Sequence, residues 1–75
     1  MQTALLQELG LPLNEAKIYE ALLTYGGSGV STISLRSGVH RRNTYDALHR
    51  LIEKGLVYEV FTQGETVYEA VEPGK

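Results

Sequence analysis

The 75-residue chain contains no cysteine. That excludes disulfide staples, thiol chemistry and a zinc ribbon or finger. No apolar run approaches the ~18 residues that a membrane-spanning helix needs. The first residues, Met-Gln-Thr-Ala, lack the basic region and long apolar stretch of a secretory signal. A reduced cytoplasmic location is therefore expected. Internal repeats, low-complexity tracts and obvious linkers are absent too. Only two histidines occur, and the glycines at 26, 27 and 29 do not follow a strand. They form no dinucleotide-binding loop, and an enzyme is not expected. A net charge of −2 lacks the positive excess of most nucleic-acid-binding domains.

What is present suits one small domain spanning 1–75. Hydrophobic residues at 43% and charged residues at 21% place the chain among globular rather than disordered sequences. Residues 3–9 put Leu5, Leu6 and Leu9 on one helical face, and Gly10 stops that helix. Leu11 and Leu13, around Pro12, are expected to tuck inward. Asn14 reads as an N-cap, with Glu15 complementing the dipole of a helix over 14–25. Ile18, Tyr19, Leu22 and Leu23 form its apolar stripe.

A short helix over 31–37, capped by Ser31 or Thr32, carries Ile33 and Leu35. After Ser37-Gly38 a longer helix covers 41–54, with Tyr45, Leu48, Leu51 and Ile52 as its buried stripe. Gly55 is the expected stop. Helical periodicity ends there. Residues 56–62 and 66–71 are rich in Val, Tyr and Phe, and Gln63, Gly64 and Glu65 lie between them. Two such runs around a short glycine-containing loop read as a hairpin. The expected fold is mainly α with a small β-hairpin, a winged helix-turn-helix of three to four helices plus wing.

The distribution of charge changes the meaning of its sum. Between residues 36 and 54 stand five cations (Arg36, Arg41, Arg42, Arg50, Lys54) and two acids (Asp46, Glu53), a net of +3. The remaining residues carry two lysines and seven acids, a net of −5. Such polarity suits a DNA-reading face. The helix at 41 also opens with His40, Arg41 and Arg42 and no acid. Cations there oppose the helix dipole, at a cost of about 0.3–1 kcal/mol. Local rules are broken at functional sites, and phosphate contacts explain the exception.

By helical spacing, Arg42, Asn43, Asp46, His49 and Arg50 lie away from the Tyr45, Leu48 and Ile52 stripe. Arginine pairs with guanine, asparagine with adenine and aspartate with cytosine. Arg42, Asn43 and Asp46 are the base-edge candidates. Arg36, Arg41, Arg50 and Lys54 are the phosphate candidates. The alternative for Asn43 is an N-cap with Asp46 as its capping-box partner. His49 and Glu53 read as a surface i,i+4 pair. Asp46, His49 and Glu53 offer only one histidine and make no expected metal site. No cofactor is expected either.

Several blocks resemble the winged-helix DNA-binding domain of TrmB-type sugar-responsive transcription regulators. They are Leu9-Gly10-Leu11, Asn14 through Tyr19, Ala21-Leu22-Leu23, Ser37-Gly38-Val39 with Arg41 and Tyr45, Leu51, Glu53 through Val57, and Tyr68, Ala70-Val71 and Pro73. The resemblance implies double-stranded DNA as partner, the helix from 41 in the major groove, and a homodimer. It also implies a sugar-binding domain following such a module. No residue here is expected to bind a small molecule, so the chain reads as a fragment or a stand-alone relative. Two departures stand out. Wings in this family carry Lys or Arg near the tip, whereas here Gln63, Gly64 and Glu65 form it, flanked by Glu59 and Glu69. His40 stands where many relatives have proline. The acidic wing supports an alternative function as a winged-helix protein-interaction module in transcription machinery.

Overall fold

A computed structural model describes residues 10–71 of the chain. The helix expected over 3–9, and the residues from 72 onward, lie outside the described part. Three helices come first: α1 (Leu13–Tyr25), α2 (Val30–Ser37) and α3 (Arg41–Glu53). An antiparallel hairpin follows, β1 (Val57–Thr62) and β2 (Glu65–Ala70). This is a three-helix cluster with a wing, the helix-turn-helix being α2 and α3.

The helices differ from the sequence expectation at their starts. Helix α1 begins at Leu13, one residue before the expected 14, and Pro12 rather than Asn14 occupies the cap position. Proline's fixed φ suits the entry, and its carbonyl accepts from the Ala16 N–H at 2.9 Å. Leu13 therefore points outward, 46% exposed, while Leu11 is buried. Glu15 becomes the third helical residue and is buried. Helix α2 begins at Val30 rather than 31, with Gly29 in the cap position in place of Ser31 or Thr32. Of its two apolar residues only Ile33 enters the core; Leu35 is 84% exposed. Residues two apart stand about 200° apart around a helix, so one face cannot bury both.

The core joins Ile18, Tyr19 and Leu22 of α1 to Ile33, Val39, Ala47, Leu48 and Leu51, with Val57 closing it from the wing. Burying each large aliphatic side chain contributes about 1.5–3 kcal/mol. The buried arc of α3 is Thr44, Ala47, Leu48 and Leu51. Tyr45, expected in that stripe, is half exposed, and Ile52 is only partly buried. Small Thr44 and Ala47 bring α3 close to α1 and α2, which turns Tyr45 to the rim.

Gly38 makes the turn between α2 and α3 with φ 73° and ψ 13°, the left-handed conformation that glycine adopts without a Cβ penalty. Hydroxyls then lock the turn. Ser34 Oγ donates to the Val39 carbonyl at 2.6 Å, and buried Thr44 Oγ1 reaches the carbonyls of Val39 and His40 at 3.2 and 3.0 Å. These bonds fix how α3 leaves α2.

The wing strands run Val57–Thr62 and Glu65–Ala70, where 56–62 and 66–71 were expected. The loop holds two residues, Gln63 and Gly64, because Thr62 pairs with Glu65. Both loop residues have positive φ, 50° and 78°, the mark of a type I′ turn whose twist matches the strands. Glu65 thus belongs to β2, not to the tip. At the base, Ser28 and Tyr68 exchange backbone hydrogen bonds of 3.1 and 2.9 Å, fastening the wing to the α1–α2 loop.

Candidate nucleic-acid interface

Helix α3 presents the charged face. His40 occupies its N-cap, and the imidazole Nδ1 accepts from the Arg42 N–H at 3.3 Å. That settles Asn43: it lies inside the helix, not at its cap. The first turn carries Arg41 and Arg42 and no acid. Neither guanidinium has a partner among the described residues, and both are exposed. The dipole cost at this end is therefore uncompensated within the described residues.

At about 100° per residue, Arg42, Asp46, His49 and Glu53 form the outermost ridge. Asn43 and Arg50 lie on the flank toward α1, where they line a shallow groove with Pro12–Glu15, Asp46 and Ala47. Arg41 and Tyr45, spaced i,i+4, lie on the opposite flank. The structure thus brings Arg42, Asn43, Asp46 and Arg50 onto the outer and α1-side face of the helix, all exposed, with Arg41 exposed on the far flank. No ion pair ties Asp46 to Arg42 or Arg50, although each is four residues away. His49 Nε2 and Glu53 Oε2 approach to 3.8 Å at exposed positions, a contact worth little in water.

Two other candidates have partners elsewhere. Lys54 Nζ donates to Glu15 Oε1 at 2.5 Å. Arg36 Nη1 donates to Ser28 Oγ at 2.9 Å, and its guanidinium lies over the Tyr25 ring, 5.0 Å from the centroid. Stacking of this kind is worth about 0.5–1 kcal/mol at an exposed site. Arg36 therefore braces the α1–α2 loop on which the wing is fastened.

Between α3 and the wing runs an open slot of about 450 Å³, lined by Gly29–Thr32, Tyr45, Glu65, Thr66 and Tyr68. Burial raises the Tyr68 hydroxyl above its ordinary pKa, and the nearby Glu59 carboxylate and Tyr45 add to the effect. Glu59 stands opposite Tyr68 in the strand register, so both side chains share one face of the hairpin. The slot has no signature in the sequence, because helical spacing assigns Tyr45 to the core. Among the described residues no group of three His, Cys, Asp or Glu is placed to hold a metal ion. None of their helices is long and apolar enough to cross a membrane.

A family model described as the sugar-specific transcriptional regulator TrmB matches residues 6–74. Among solved structures, TrmBL2, an archaeal chromatin protein whose structure is described as showing a novel mode of DNA binding, matches with TM-score 0.84 and 33% identity. The match covers 95% of this chain and 28% of TrmBL2. A MarR family transcriptional regulator from Silicibacter pomeroyi DSS matches with TM-score 0.79 over 96% of this chain and 50% of its own. At 16% identity that likeness shows the fold alone. Sco5413, a MarR family regulator from Streptomyces coelicolor, gives TM-score 0.68 and 27% identity, over 96% of this chain and 52% of its own. The chain thus spans between about a quarter and a half of the length of these structures. The comparison with curated proteins gives no match.

Proposed function

The chain belongs to the TrmB family of sugar-specific transcriptional regulators, and from that premise we propose that it is a DNA-binding module that inserts α3 into the major groove. The observation that carries this reading is the start of α3. Two exposed arginines, without a partner among the described residues, stand there against the helix dipole, on a helix whose orientation is fixed by buried Thr44 and the Ser34–Val39 bond. Phosphate or base acceptors supply the partners that the fold withholds.

Arg42, Asn43 and Asp46 are assigned to base edges, Arg42 to guanine and Asn43 to adenine. Arg41 and Arg50 are assigned to the flanking phosphates. Arg36 and Lys54 contribute less, since Ser28 and Tyr25 hold the first and Glu15 the second. Two phosphate contacts give a slope of log affinity against log salt of about −1.8 for one protomer, which is weak binding. A homodimer reading two half-sites about 34 Å apart supplies the missing affinity. TrmBL2, described as a DNA-binding chromatin protein, lends this reading support.

Titration of fluorescently labelled duplex DNA at about 50 and 200 mM salt tests the proposal. Salt-sensitive binding is expected, tightening when two half-sites are joined. No binding to any duplex, random sequence included, at the lower salt refutes it. That outcome favours a protein-interaction module, for which the acidic wing is the supporting observation.

A further inference from the structure

The wing carries three acids, Glu59, Glu65 and Glu69, and no lysine or arginine between residues 57 and 70. Their positions differ. Glu69 turns toward the α1–α2 loop, where its side chain fills the space beside Gly27. Glu59 shares the hairpin face of Tyr68 and bears on the Tyr68 hydroxyl. Glu65, paired with Thr62 on the opposite face, borders the end of the slot beside the wing turn. Both carboxylates are exposed and neither has an ion-pair partner among the described residues. Arg41 and Tyr45 form the flank of α3 that faces this slot.

We propose that Glu59 and Glu65 are antideterminants of DNA binding, which repel the phosphates flanking α3 on the wing side and confine the contact to the helix and its α1 flank. The inference rests on the DNA-binding reading above and adds a direction to it. A duplex approached by α3 presents phosphates on both sides of the groove. On the α1 side it meets Arg50 and Asn43. On the wing side, beyond Arg41, it meets two uncompensated carboxylates. The consequence falls on selectivity. Sequence-independent affinity comes from phosphates, so acids facing them depress random-sequence binding and leave base-edge contacts by Arg42 and Asn43 to decide the site.

The test is the double variant Glu59→Lys/Glu65→Lys, titrated with random-sequence duplex beside the unaltered chain. Four units of charge change about 10 Å from phosphates, each worth roughly twofold at low salt, amount to about a tenfold gain in affinity. The salt slope is expected to steepen by up to about 2 as the lysines make contacts of their own. Glu59→Gln/Glu65→Gln is expected to give a smaller gain, about two- to fourfold, by removing repulsion alone. Glu20→Lys, on α1 in the crevice beside Arg36, controls for net charge without the location. Thermal melting of each variant reports folding, and the exposed positions of Glu59 and Glu65 predict little change there. Binding by the unaltered chain with no gain in either double variant overturns this inference and leaves the DNA-binding reading standing. A gain from Glu20→Lys equal to that from Glu65→Lys alone also overturns it. Absence of binding by the unaltered chain and every variant removes both.

Discussion

Lys54, just past the end of α3, donates to the buried carboxylate of Glu15 in the first turn of α1, 39 residues away in sequence. The Glu15 side chain is 3% exposed and the Lys54 side chain 41%. The pair fixes the far end of α3 against α1, while the Gly38 turn fixes the near end. Arg50 and Asn43 are thereby held beside the α1 N-terminus.

Lys54→Ala is accordingly expected to weaken the fold rather than the DNA contact. It strands a buried carboxylate, a loss of about 1–3 kcal/mol, moderated because water reaches the lysine side. Glu15→Gln keeps an acceptor for the ammonium and is expected to cost less. Urea midpoints measure both. In duplex titrations of folded protein the salt slope of Lys54→Ala is expected to match the unaltered chain. A slope shallower by about 0.9, with the urea midpoint unchanged, identifies Lys54 as a phosphate contact instead.

Arg41→Ala/Arg42→Ala addresses the site itself. Both residues are exposed and have no partner among the described residues, so the melting temperature is expected to hold or to rise slightly as the dipole cost disappears. Loss of a bidentate arginine–guanine contact costs about 1–3 kcal/mol, and loss of a phosphate contact reduces the salt slope by about 0.9. Affinity for a specific site is expected to fall at least about tenfold by those terms. Retention of both affinity and slope places the interface on another face.

How much of this was legible in the sequence follows from the range of each signal. The helix-turn-helix and the wing were readable because Gly38 and Gly55 stop the helices and the hydrophobic period changes after residue 55. These are local signals. The exposed face of Arg42, Asn43, Asp46, His49 and Arg50 followed from helical spacing alone, whereas Arg41 lies on the Tyr45 flank. The failures involve partners distant in sequence. Nothing near Lys54 names Glu15, and nothing near Arg36 names Tyr25 or Ser28. Tyr45 and Leu13 depart from expectation for another reason: apolar size alone does not mark burial. Close packing of α3 buries small Thr44 and Ala47 and moves Tyr45 to the rim, and the start of α1 after Pro12 turns Leu13 outward. Thr44 had a readable role only together with the Val39 and His40 carbonyls that it bonds.

Leu48→Ala and Tyr45→Ala separate the two kinds of position on one helix. Leu48 is 1% exposed and Tyr45 49%. Removing the Leu48 side chain leaves a cavity in a small core and is expected to cost about 2–5 kcal/mol, enough to unfold much of the population at 37 °C. Tyr45→Ala is expected to cost under about 1 kcal/mol, as for other surface positions. Circular dichroism melts resolve the contrast. Equal destabilisation by the two substitutions places Tyr45 in the core.

Tyr19 gives the fold a dependence on alkaline pH. Its hydroxyl donates to the Val71 carbonyl at 2.8 Å, tying α1 to the end of the wing. Burial raises its pKa above the ordinary value of 10.0. A neutral phenol is thus preferred in the folded chain, while the unfolded chain releases the proton near 10. Below that value both states hold the proton and the contribution to stability is complete. As pH rises toward the folded value the unfolded state ionises first, so stability falls. Urea unfolding of the unaltered chain and of Tyr19→Phe at about pH 7 to 11 isolates this share, since the raised pKa of Tyr68 affects both proteins alike. Tyr19→Phe is expected to lose about 1 kcal/mol at neutral pH, the net worth of one hydrogen bond. Its deficit is expected to shrink as the pH passes 10, because phenylalanine has no proton to lose. A deficit that stays constant through the same range removes the coupling between the Tyr19 proton and the attachment of the wing.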